Sequence, residues 1–197
     1  MIKNFLKKLE LPNPNLLVDK FISQKFLSLD CTSFYEAIQF VHHLPYGRTS
    51  KADCLLVLAE MWGTCSTKHS LIAELARELN IRSIQLYAGI FTMSAINTPK
   101  IANILKEHGL DGIPEAHCYL EFNQNSFDIT FSNNKQAIMT YHLVEKIKIT
   151  PEQISDFKVN WHRKFIKKWL SSMNYSYTVD ELWSIRESCI AKISSAE

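Results

Sequence analysis

The sequence shows no cysteine framework, no stretch that reads as a secretory signal, no apolar run of membrane-spanning length and no strong charge bias. Its five cysteines, Cys31, Cys54, Cys65, Cys118 and Cys189, form no C-x-x-C pair. An odd count without a leader favours reduced thiols, so a cytoplasmic setting is expected. Residues 1–20 carry lysines but no continuous apolar stretch of the kind a secretory signal needs. The longest apolar run, Cys54 to Ala59, is far shorter than the ~20 residues that span a bilayer. Lys and Arg number 22 against 20 Asp and Glu, a net charge of +2. Neither a nucleic acid nor a membrane surface is expected as a partner. No internal repeat and no low-complexity segment occurs.

What is present suits one compact domain over 1–197. The chain is 46% hydrophobic and 21% charged, enough apolar residue for an ordinary core. To about Asp30, with Pro12 and Pro14, short helices or an arm are expected. Ser33-x-x-Glu36 is a capping-box pattern and predicts a helix from about Phe34 to His43. Leu44-Pro45-Tyr46-Gly47-Arg48 breaks it, and Ser50 can cap a second helix to about Met61. A third follows Trp62-Gly63-Thr64, from Cys65 to about Asn80.

The period then changes. Ile81 to Met93 is rich in β-branched and aromatic residues and predicts a strand. A short helix opens at Thr98-Pro99 and stops near His108-Gly109. Ala116 to Phe122 and Ser126 to Phe131 predict a strand pair joined by a tight turn at Asn123-Gln124-Asn125. His142 to Ile149 predicts another strand. Thr150-Pro151-Glu152-Gln153 caps a long helix to about Leu170, and Thr178-x-x-Glu181 caps a last one. The sum is an α+β fold, helices flanking a mostly antiparallel sheet. Trp161, Phe165 and Trp169 recur every four residues and are expected to form a stripe on the core, with lysines on the solvated face.

Chemistry enters at Trp62-Gly63-Thr64-Cys65-Ser66-Thr67-Lys68-His69-Ser70. A glycine turn that ends on a cysteine in the first turn of a helix favours a thiolate. Free backbone N–H groups and the positive end of the helix dipole both stabilise negative charge there. Downstream, Ala116-His117-Cys118-Tyr119-Leu120-Glu121-Phe122 puts a histidine on a strand, and Phe127-Asp128-Ile129-Thr130 puts an aspartate on the next. Nucleophile, base and orienter are the three roles of a thiol acyl-transfer site. Cys65, His69, His117 and Cys118 together could suggest zinc, but neighbouring strand residues point to opposite faces. No metal and no cofactor is expected.

This ordered set resembles the transglutaminase-like superfamily of papain-type cysteine enzymes, over about Val41 to Thr130. Tyr46 stands where the family has a loop tyrosine, and Gly63 and Cys65 match its Gly-x-Cys turn. Leu75, Ala76, Arg77 and Asn80-Ile81 match the end of its nucleophile helix. His117-Cys118-Tyr119-Leu120-Glu121 matches its His-Ala-Trp-x-Glu strand, and Asp128 stands at its aspartate. The resemblance implies a nucleophile helix packed on an antiparallel sheet, a catalytic core of about 34–150, and C-terminal helices over 151–193. It implies a thiol-dependent enzyme, a cysteine peptidase, amidase or deamidase, acting on a peptide or protein amide through an acyl-thioester on Cys65. Water is favoured as acceptor over an amine. The alternative is a binding module on the same fold that has lost turnover.

Further residues border the expected cleft. Glu121 shares a strand face with His117 and Tyr119 and rivals Asp128 as orienter. His69, one turn after Cys65, either lines the site or makes a structural hydrogen bond. The Cys65 N–H is a natural oxyanion donor, with the Trp62 indole and the Tyr46 hydroxyl as candidates for a second. Arg48 could meet a substrate carboxylate.

Overall fold

The computed structural model describes residues 2–132, 142–173 and 175–195. Four short helices lead: α1 (Ile2–Lys8), α2 (Phe21–Leu27), α3 (Phe34–His43) and α4 (Leu56–Glu60). The longer α5 (Cys65–Glu78) precedes β1 (Ile84–Ser94), α6 (Ala102–Glu107), β2 (Gly112–Phe122), β3 (Asn125–Phe127) and β4 (Glu145–Ile149). Helices α7 (Asp156–Met173) and α8 (Val179–Ser194) close the chain. The four strands form one antiparallel sheet in the order β3-β2-β1-β4. The architecture is therefore α+β. Among the described residues no helix is long and apolar enough to cross a membrane.

Local signals explain most boundaries. Thr64 and Thr67 form a reciprocal capping box at the start of α5, which settles two of the N–H groups a helix start leaves open. Leu71, Ile72, Leu75 and Ala76 give it a buried face. Asn80 ends it at φ 59°, and Ile81 N–H reaches back to Ala76 O at 2.8 Å, the closure of a left-handed helix cap. Asn123 and Gln124 both take positive φ, making the two-residue turn that joins β2 to β3. Thr178 and Glu181 box the start of α8 as the sequence suggests.

Three capping expectations are corrected. The Thr150 box caps a short 3₁₀ turn, Pro151–Ile154, and the long helix α7 starts only at Asp156. Ser33 makes no side-chain cap; Glu36 accepts instead from Thr32 N–H and Oγ1. The open N–H groups of Phe34 and Tyr35 are met by Pro14 O and Asn13 Oδ1 of the N-terminal arm, so the arm does the work of the cap. Ser50 does not open a helix either. It donates to Glu60, and Asp53 starts a shorter helix by accepting from Leu55 N–H at 2.9 Å. On α7 the buried stripe is Lys158, His162, Ile166 and Leu170, one position along from the expected aromatics. Trp161, Phe165 and Trp169 are half-buried beside it.

Two apolar cores meet at the sheet. One gathers α1 to α5 against Ile84, Leu86, Ala88, Cys118 and Leu120. The other joins Phe91, Met93 and Ile113 to Ile166, Leu182, Ile185 and Ile190 of α7 and α8. The start of α5 sits near this junction, and Lys68 fastens it there. Fully buried, Lys68 donates through Nζ to Leu44 O at 2.5 Å and Thr130 O at 2.8 Å, tying the Tyr46 loop to the segment after β3. Lys68→Ala is expected to cost about 3 kcal/mol in urea unfolding, since it opens a cavity and strands two buried carbonyls. Lys68→Met, which keeps the packing, should cost less. Equal and small losses would mean the two carbonyl contacts carry no stability.

Candidate active site

The turn at Gly63 that leads into Cys65 is held from both sides. Gly63 N–H donates to Pro45 O at 3.2 Å, and Gly47 N–H donates to Gly63 O at 3.4 Å, so the Tyr46 loop lies along the approach to α5. A side chain at Gly63 would meet Lys68, Thr67 and Val57 atoms at 3.0 Å, tighter than most packed contacts. Crowding, not a special backbone angle, favours glycine there. Beyond the cap, the N–H groups of Cys65 and Ser66 find no acceptor among the described residues, leaving two donors for an oxyanion at the helix start.

β3 is short, pairing only Leu120 to Phe122 of β2. The rest of that β2 edge is left unpaired by the sheet, and the Cys118 backbone there helps to lower the pKa of the Cys65 thiol. His117 faces this thiol and lowers its pKa through charge and hydrogen bonding. Its Nε2 is 2.8 Å from Asp128 Oδ2, so Nδ1 is the ring nitrogen turned to the thiol. Phe91 packs edge-on against the imidazole at 6.3 Å. After β3 the chain turns at Asp128, whose Oδ1 accepts from Thr130 N–H at 2.8 Å and Thr130 Oγ1 at 2.6 Å. One carboxylate oxygen is thus anchored and the other is presented to His117.

His69 locks the two halves together. Its Nδ1 donates to Cys65 O at 2.7 Å, and its Nε2 accepts from Ile129 N–H at 2.9 Å. Those partners define a neutral ring protonated at Nδ1. The 3.3 Å approach of Nε2 to Asp128 Oδ1 is then a close contact rather than an ion pair. His69 is fully buried and serves as a clamp between the backbones of α5 and the Asp128 turn.

The electrostatics favour an ion pair. Burial pushes the Cys65 thiol up, but the His117 imidazolium and the Lys158 ammonium more than offset it and leave it at about 6. Burial works against the His117 cation too, yet Asp128 and Cys65 hold its pKa well above the ordinary histidine value. For Asp128, burial is likewise overcome by His117, and the carboxyl lies well below its usual range. Near neutral pH the three groups are thiolate, imidazolium and carboxylate.

An open cleft of about 480 Å³ leads to Cys65. Tyr46 and residues 48–52 and 64–67 form part of it, with Glu115 of β2, and α7 and α8 supply the remainder through residues such as Lys158, His162, Trp183 and Arg186. The core expected at 34–150 thus borrows a wall from the C-terminal helices. Glu115 and Arg186 form a buried two-pronged pair at 2.6 and 2.7 Å. Burial pushes His162 down to about 4, so it is neutral and donates to Pro114 O at 2.9 Å. None of Lys158, His162, Glu115 or Arg186 stood out in the sequence. A signal existed: Lys158 and His162 fall on the same four-residue stripe as Ile166 and Leu170, where apolar residues are the rule.

Cys65, His117 and Asp128 come together. Tyr46 lines the cleft and stacks on Phe131 at 5.0 Å; burial, then Cys65 and Glu115, raise its hydroxyl pKa. Arg48 stands in the wall but pairs with Glu187 at 2.6 Å. The Trp62 indole N–H is spent on Arg48 O at 3.1 Å, so it is no second oxyanion donor. Tyr119 is buried away from the cleft, stacked on Tyr87. Glu121 accepts from Lys146, Ser126 and Tyr119 and is not the orienter. Among the described residues no group of three His, Cys, Asp or Glu side chains could hold a metal ion. No protein family, curated protein or solved structure matches the chain.

Proposed function

We propose that the chain is a thiol-dependent acyl-transfer enzyme with a core of the papain and transglutaminase type, and that it hydrolyses or deamidates a peptide or protein amide. The observation that carries this reading is the 2.8 Å bond of His117 Nε2 to Asp128 on a ring that also faces Cys65 and lowers its pKa. The thiolate attacks the acyl carbon, forming a C–S bond, while the Cys65 and Ser66 N–H groups receive the oxyanion. Collapse breaks the C–N bond, and His117 gives its proton to the leaving amine. Water, deprotonated by His117, then cleaves the thioester and regenerates the thiolate. Asp128 keeps the ring oriented and supports its charge.

The rate should rise with pH as Cys65 deprotonates near 6 and fall again only above the raised pKa of His117. p-Nitrophenyl acetate tests the chemistry directly. Intact-protein mass spectrometry should show one acetyl group on Cys65, with a burst of nitrophenol. Cys65→Ala should abolish both, and Asp128→Asn should keep part of the activity. An acetyl group elsewhere, or a burst that survives Cys65→Ala, would refute the thioester route. A silent binding module would give no turnover of any amide or ester.

A further inference from the structure

The cleft wall outside the triad holds four cations, Arg48, Lys51, Lys158 and Arg186, and two carboxylates, Glu115 and Glu187. The arginines already engage both carboxylates: Arg186 pairs with Glu115 and Glu187, and Arg48 with Glu187. Lys51 and Lys158 have no carboxylate partner among the described residues. Lys51 stands exposed at the mouth. Lys158 is 8% exposed and lies on the floor. Its ammonium donates to Ser66 Oγ at 2.9 Å, and that oxygen is 3.9 Å from the Cys65 sulfur.

Lys158 bonds a neutral hydroxyl, while Cys118, Cys65 and Glu115 face it and hold its pKa up against burial. The fold brings this ammonium 92 residues along the chain to the nucleophile. Stabilising the thiolate explains part of this. It does not explain the uncompensated cation at the mouth, nor the complete internal neutralisation of Glu115 and Glu187. With Lys158 set against the triad's net charge of −1, the lining keeps one unmatched positive charge, at Lys51, and presents the Lys158 ammonium beside the sulfur, an arrangement that can draw in and seat an anion.

Resting on the thiol-enzyme reading, we propose that Lys158 and Lys51 form an anion subsite beside Cys65 and that the substrate is an acyl compound bearing a carboxylate next to the bond attacked. Lys158 holds the carboxylate on the cleft floor and so sets which acyl carbon faces the sulfur. Lys51 acts at longer range, drawing the anion in.

Iodoacetate and iodoacetamide read this subsite, since both alkylate a thiolate and only one carries a carboxylate. At pH 8, where Cys65 is fully ionised, iodoacetate should label it faster than iodoacetamide. In Lys158→Met the ratio of the two rates should fall about tenfold, a loss typical of one close charge contact. Lys51→Met should mainly weaken the salt dependence of the iodoacetate rate. In the unmutated protein, N-acetylglycine should protect Cys65 from iodoacetamide and N-acetylglycinamide should not. A slower iodoacetate reaction, equal protection by the two compounds, or an unchanged ratio in Lys158→Met would overturn the subsite while leaving the thiol enzyme standing. Failure of both reagents to label Cys65 would overturn the thiol enzyme itself.

Discussion

His117→Ala should slow iodoacetamide alkylation of Cys65 about 100-fold at pH 6.5. The thiol now titrates at about 6 against burial because an imidazolium and an ammonium face it. Removing the imidazolium removes the larger of the two charges and a hydrogen bond, while burial remains. The thiol then returns at least to about 8.5, the value of a free cysteine. At pH 6.5 the ionised fraction falls from about three-quarters to about one per cent. The variant's rate should climb steadily through pH 9, where the unmutated protein's is flat. A His117→Ala rate within threefold of the original at pH 6.5 would mean that His117 does not charge the sulfur.

Arg186→Met should destabilise the fold by about 3–5 kcal/mol, because it strands the Glu115 carboxylate in the cleft wall. For a chain this long that is a fall of about 10 °C in Tm. The sign of its pH dependence is specific. Burial alone would raise the Glu115 pKa, but Arg186 outweighs it and holds the group at about 2. In the unmutated protein the pair therefore adds stability that is present above the unfolded carboxyl value of 4.5 and lost as pH falls toward 2. In Arg186→Met the unpaired carboxyl titrates above its unfolded value, so protonation favours the fold. The gap between the two proteins should narrow from pH 7 to pH 4. The double variant Glu115→Leu/Arg186→Met should recover part of the loss. A single variant within about 1 kcal/mol of the original would show that Glu115 is already protonated or hydrated.

The residues that the sequence singled out as a triad are those announced by local pattern. Cys65 follows a glycine turn and opens a helix, and its own neighbours Thr64 and Thr67 build the cap. Asp128 lies 11 residues from His117 across one tight turn, so strand pairing almost dictates their contact. Capping boxes were legible where no other acceptor competed, as at Thr178. They misled at Ser33, because Asn13 and Pro14 arrive from another segment to satisfy the same donors. The cleft wall was hidden for the same reason. Glu115 and Arg186 are 71 residues apart and Lys158 and Ser66 are 92 apart, and only tertiary packing reveals that these charges meet. Periodicity found α7 but started it at the Thr150 box, which caps a separate turn, and favoured its aromatics over Lys158 and His162, since large apolar residues are the better guess for a core stripe.

Cys65 is a thiolate near neutral pH because the His117 imidazolium, sustained by Asp128, and the Lys158 ammonium make it one. The most direct test is the second-order rate of iodoacetamide labelling at Cys65, followed residue by residue by mass spectrometry from pH 4 to pH 10. The expected curve has its half-point near pH 6 and labels Cys65 before the buried Cys118 and Cys189, whose thiols burial pushes up. A half-point at or above about 8.5, or labelling of another cysteine first, would contradict it.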